Sequence, residues 1–169
     1  MEHTAPQAKD YSAVVTNPPD WPHLATSLSG LHRVLMERAR KDYEQERGVH
    51  LGPGQLLHLL VTDPHFGWLR ALSEVMVEID VIAEGEASVM VEAAGAVRAV
   101  VENLLAVPKP GDTTSPFSDR LWPYVREDPH VAMALADVKR ALQSWPPAAK
   151  LDVSAWMDQR KADPGKPSS

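Results

Sequence analysis

The chain has 169 residues, with 17 basic against 23 acidic side chains and a formal net charge of -6; at this length one domain buries an adequate core without covalent or metal staples. It contains no Cys, which excludes disulfides, thiolate nucleophiles, Cys-ligated zinc and Cys-ligated iron–sulfur clusters. The acidic balance speaks against nucleic-acid binding and against attachment to an acidic membrane, since both select a basic surface.

Fifteen prolines fall in clusters, and the stretches between clusters read as helices. Residues 1 to 27 carry Pro6, Pro18, Pro19 and Pro22 and read as an irregular arm anchored by Trp21 and Leu24, with disorder at its start. Leu28 to Arg47 is an amphipathic helix: Leu28, Leu31, Leu35, Ala39 and Tyr43 share one side and Arg33, Glu37, Arg40 and Lys41 the other. Ser27 or Ser29 suits its N-cap, Gly48 its C-terminal stop, and Glu37 with Lys41 an i,i+4 pair. Gly52-Pro53-Gly54 reads as a turn before a short apolar helix, Gln55 to Val61, with His58 on its polar side.

Asp63-Pro64 opens a helix that the periodicity carries to about Ala83, because Asp caps the free N–H groups and Pro at the first position has none to waste. Leu72, Val75, Ile79 and Ile82 fall on its apolar side, with Arg70, Glu74 and Glu78 opposite, where Arg70 can pair with Glu74. After a break at Glu84-Gly85-Glu86, a second stripe runs from Val89 through Val97 to Leu104, so the two helices should be antiparallel neighbours. Residues 107 to 116 form a Pro-rich loop, and Phe117 to Val125 a short helical or turn segment interrupted by Pro123. Asp128-Pro129 starts another helix, with Val131, Leu135, Val138, Leu142 and Trp145 inward, that Pro146-Pro147 ends. Within Leu151 to Lys161, Val153, Trp156 and Met157 make an apolar edge at i, i+3 and i+4.

These elements predict an all-α protein: an antiparallel bundle of four main helices with short accessory helices and irregular termini. Residues 28 to 145 form the bundle and 146 to 169 a C-terminal docking segment with a disordered tail.

Four residues are candidates for binding a ligand. His32 lies on the apolar side of its helix and needs partners for its ring nitrogens, which a metal, a ligand or a neighbouring polar group could supply. Asp42 approaches the edge of that face, so a His–carboxylate cluster is one reading. His65 and His130 follow the two Asp-Pro pairs and could converge on a ligand, although capping alone explains both triplets. Glu74, Glu78 and Asp80 invite comparison with carboxylate-bridged di-metal bundles, but that chemistry needs Glu-x-x-His on two helices, which the chain lacks; a solvated ion-pair face accounts for them. The nucleotide, zinc-protease, serine-hydrolase and dinucleotide motifs are also missing. No catalytic residue, metal or cofactor is assigned.

The segment Leu56 to Glu74, in which a Leu-rich run leads into Asp-Pro-His-Phe-Gly-Trp-Leu-Arg, resembles an uncharacterised bacterial family of small helical proteins. The likeness spans roughly residues 31 to 82. It implies a bacterial source and brings no activity, cofactor or catalytic residue.

The expected function is non-enzymatic: a cytoplasmic helical bundle acting in protein binding or assembly, as a homodimer or with another protein, without nucleic acid or membrane. No apolar run approaches the roughly 20 residues that cross a bilayer, and Met1-Glu2-His3-Thr4 opens neither a signal nor a transit peptide. Val153, Trp156 and Met157 are the candidate partner-binding residues, docking on their own bundle or on a second copy. The alternative is a bundle enclosing a small-molecule or metal site near His32. Assembly requires an apolar patch outside, and an enclosed site a polar-lined cavity inside.

Overall fold

A computed structural model describes residues 18–111 and 115–163, and among them every regular element is helical. Four Asp residues set the starts of four helices, each accepting a hydrogen bond from a backbone N–H of the first turn: Asp20 from His23, Asp63 from His65, Asp128 from His130 and Asp152 from Ala155. The helices they open are α1 (Trp21–Arg47), α3 (Pro64–Gly67), α7 (Pro129–Leu142) and α8 (Val153–Ala162). The capping reading of both Asp-Pro-His triplets is therefore realised in the backbone. Between these lie α2 (Pro53–Thr62), α4 (Arg70–Ala83), α5 (Ala87–Leu104) and α6 (Pro116–Glu127).

Several boundaries differ from the sequence expectation: α6 runs unbroken through Pro123 from Pro116 to Glu127, α7 stops at Leu142, three residues before Trp145, and three earlier junctions shift as well. α1 begins at Trp21, seven residues before Leu28, so Ser27 and Ser29 lie inside it. The reason is Asp20: Trp21 and Pro22 occupy the first two helical positions and Pro22 gives up no needed N–H. Pro53 likewise starts α2 instead of ending a turn. The expected helix from Asp63 to Ala83 is broken after one turn, where Leu69 N–H reaches Phe66 O and Trp68 and Leu69 bury their side chains before α4 starts. At the other end of α1, Gly48 takes a left-handed φ of 62° and donates to Glu44 O.

α1 is the axis of the fold. Leu24, Leu28, Leu31, Leu35 and Ala39 are fully buried along it, and α7 and α4 pack on its two sides. α4 and α5, joined by three residues and packed together, form a helical hairpin; α8 rests on α5, and α6 on α7. Eight helices among the described residues thus share one continuous apolar cluster. Trp21 and Trp145 meet within it at 4.8 Å between ring centroids.

Candidate functional site

The histidines and carboxylates named as candidates do not converge. His32 Nε2 lies 3.1 Å from Ser73 Oγ on α4, and Ser73 Oγ is also 3.3 Å from Leu69 O. Burial holds the His32 imidazole below its ordinary pKa, so it is neutral at pH 7. A serine beside a neutral imidazole has the outline of a nucleophile and its base, but a third group to orient the ring is missing among the described residues, and neither side chain lines the three surface hollows described below. Asp42 is not part of that neighbourhood. Ten residues further along α1, it stands about 15 Å away down the axis, where it accepts a 2.5 Å hydrogen bond from Tyr124 on α6 and pairs with Arg38 at 3.3 Å. Burial, with the Asp42 carboxylate, pushes the Tyr124 phenol far above its usual range. The expected His–carboxylate cluster is thereby replaced by two separate interhelical clasps.

His65 turns back to α1, its Nε2 lying 3.2 Å from Ala39 O and its ring stacked edge-on against Tyr43 and Phe66. His130 points outward from α7 beside Asp128, at 3.3 Å. Hydrogen bonds from His130, with Arg38 nearby, prevail over burial and hold the Asp128 carboxyl below the usual carboxylate range. Among the described residues no three metal-ligating side chains come together.

The C-terminal segment docks on its own chain. Trp156 is buried, Val153 and Met157 are half-buried against the core, and α8 packs on α5. Beneath Trp156 lies an ion pair that reading α4 alone misplaces. Glu78, expected on a solvated face, is only 7% exposed and accepts a 2.5 Å hydrogen bond from Nε of Arg160, itself 4% exposed. Lys161 reaches Glu74 at 3.0 Å, so Glu74 is held by α8 and not by Arg70. The displacement has a simple cause: α8 covers the side of α4 that periodicity assigns to solvent, and an arginine 82 residues away supplies the charge.

The outer surface holds the features the sequence did not single out. α2, with sequence PGQLLHLLVT, has no charged residue and no buried residue. Leu57 is 65% and Val61 69% exposed, and Leu56, Leu59 and Leu60 are only partly covered. His58 is exposed on the same helix. Two adjoining hollows of about 460 and 530 Å³ run between α1 and α7 and share Arg33, Val34 and His130. A third, of about 420 Å³, lies between the end of α5 and Trp122. Its charges are engaged: Arg98 donates to Glu102, Trp145 O and Pro146 O, and Lys139 sits 5.4 Å over the Trp122 ring. The signals for α2 and for the α1–α7 hollows were present as a charge-free stretch from Pro53 to Thr62 and a glycine, Gly30, inside a long helix.

No protein-family model, curated protein or solved structure matches the chain.

Proposed function

We propose that this protein is a non-enzymatic assembly protein that pairs with a second copy of itself through α2. The observation that carries the reading is a ten-residue helix with four Leu and one Val whose side chains are all at least partly solvent-exposed. An apolar patch left outside a helical protein is characteristic of an interaction surface. A second copy is the occupant its chemistry favours. The chain carries a net charge of -6, so two copies repel in general, yet Pro53–Thr62 presents no formal charge and allows like surfaces to meet without a local penalty. An isologous contact of two antiparallel α2 helices also opposes their dipoles favourably. A membrane surface is a poorer match, because interfacial helices carry Lys and Arg on their polar face and α2 has neither. We further propose a cytoplasmic address, from the Cys-free composition, and a bacterial source, from the resemblance of residues 56–74. Among the described residues no helix is long and apolar enough to cross a membrane.

Sedimentation equilibrium tests the reading. The protein should be dimeric at micromolar concentration, and Leu57→Glu with Val61→Glu should make it monomeric with its helical content intact. A monomeric native protein at about 1 mM, a concentration at which only binding weaker than ~4 kcal/mol would be missed, refutes it.

A further inference from the structure

The two hollows between α1 and α7 form one groove. On α1 its wall runs from His23 through Gly30 and Arg33 to Lys41, a single stripe of the helix; 18 residues at 1.5 Å each make it about 27 Å long. On α7 it is flanked by His130, Met133 and Asp137. Val34 and Ala134 line its apolar part, and Met133 stands 67% exposed over it.

The charges along this groove are unevenly satisfied. Each of its three carboxylates is already engaged within the chain. Glu37 takes two hydrogen bonds from Arg40, which hold its pKa below the ordinary range. Asp137 pairs with Arg140 at 2.7 Å, and Asp128 accepts from the backbone of His130 and faces Arg38 at 3.6 Å. Arg38 is in turn held by Asp42 and Glu127. Arg33 and Lys41 make no hydrogen bond or ion pair among the described residues. A protein with six excess negative charges therefore keeps two cations without a hydrogen-bonded carboxylate on one helix stripe, eight residues and about 12 Å apart, with Lys41 acting on Glu37 only at longer range.

Gly30 adds a second, independent observation. Glycine inside a helix costs about 1 kcal/mol relative to alanine and is usually explained by a neighbour that a Cβ would strike. At Gly95 that neighbour exists: a Cβ there would lie 3.2 Å from Pro147 O. At Gly30, in the middle of the longest helix, a Cβ would meet nothing within 4 Å, and the open space is the groove itself. Among the described residues nothing uses the access that Gly30 leaves.

We infer that the groove between α1 and α7 receives an acidic amphipathic helix of a partner protein, with carboxylates eight residues apart meeting Arg33 and Lys41 and its backbone approaching α1 at Gly30. An i,i+8 spacing on the incoming helix matches the separation of the two cations, and two packed helices leave between them a trough that a third fills at about 8–10 Å between axes. This surface is separate from α2, and the inference does not rest on self-association.

The test uses the whole protein and a rhodamine-labelled, end-capped peptide of about 18 residues, designed as an amphipathic helix with Leu and Ala on one face and two Glu residues eight apart beside it. Fluorescence anisotropy at low salt should give saturable binding. Arg33→Glu with Lys41→Glu should weaken it at least about tenfold, and a peptide with Lys in place of both Glu should recover affinity for that variant, as charge complementarity requires. Gly30→Leu should abolish binding while keeping or raising the melting temperature, since leucine is the better helix former. Absence of binding at about 1 mM peptide, equal binding by the charge-reversed or Gly30→Leu protein, or equal binding of the Lys peptide to the native protein overturns the inference. So does Arg33- and Lys41-dependent binding to vesicles of phosphatidylglycerol in place of the peptide, which would make the occupant a lipid surface.

Discussion

α2 and α8 are both ten residues long, and they invert the expectation that hydrophobicity decides what docks. α2 is almost entirely apolar and buries no residue. α8 carries Asp158, Arg160 and Lys161 and buries two side chains, one of them an arginine. What separates them is the seat. α4 offers α8 a buried carboxylate, Glu78, with Glu74 at the rim, whereas among the described residues α2 only rests Leu56, Leu59 and Leu60 partly against the core and buries none of them. Burial follows a complementary surface, and apolar content without one leaves a helix exposed.

The sharpest way to break the contrast is to take the seat away. Arg160→Ala leaves the Glu78 charge buried and uncompensated, and should destabilise by about 3–5 kcal/mol in a urea titration. Replacing both partners, Glu78→Leu with Arg160→Leu, should recover most of that loss, because a buried pair exchanged for apolar groups of similar size is close to neutral. If the double variant is as unstable as the single, the pair contributes a specific geometry and not merely charge compensation.

Capping gives a smaller difference between the two helices. Asp152 accepts from Ala155 N–H at the start of α8, while Gly52 at the start of α2 has no side chain to offer. Asp152→Ala should lower stability by about 0.5–2 kcal/mol, with the same range for Asp63→Ala and Asp128→Ala; Gly52→Ala, which removes no side-chain acceptor, should cost less, about 0.5 kcal/mol. A further test lies where the α8 connection leaves the core. Trp145 Nε1 is buried without a hydrogen-bond partner among the described residues. Trp145→Phe removes that donor while keeping a ring against Trp21, and should change the unfolding free energy in a urea titration by no more than about 1 kcal/mol, in either direction. At the bottom of the scale, Leu57→Glu with Val61→Glu should alter the stability of the monomeric fold by less than about 0.5 kcal/mol, since both side chains already face solvent. A larger loss in denaturant at dilutions where the protein is monomeric would mean that α2 has a seat within the chain after all.

Local signals carried the helices well. Leu28, Leu31, Leu35 and Ala39 are all fully buried, as their spacing requires, and Asp63 and Asp128 cap as their pairing with Pro indicates. Asp20 was legible by the same chemistry, but Trp21 stands between it and Pro22 and hides the pattern. Glu78 was not legible: its burial depends on Arg160, and a helical wheel drawn for α4 contains no information about α8. The exposure of α2 escaped for the converse reason, because a short run of leucines looks the same whether or not a neighbour covers it. Asp42 approaches only the edge of the His32 face in projection, and the two are also separated along the axis, a coordinate that periodicity discards.

The link between α7 and α8 bears on whether α8 could exchange between copies. Ala149 donates to Gly95 O at 2.9 Å, and the backbone of Pro147 passes close enough to α5 that a Cβ at Gly95 would press on Pro147 O at 3.2 Å. With the chain pinned there, Lys150, Leu151 and Asp152 are all that remain before α8 begins. A helix on so short a leash faces Glu78 at an effective concentration on the order of millimolar or above, so a free copy of α8 at micromolar concentration would compete poorly for the same carboxylate. To donate α8 to a neighbour, the chain would first have to peel Ala149 from Gly95, which makes that contact a guard against domain exchange as well as a piece of packing.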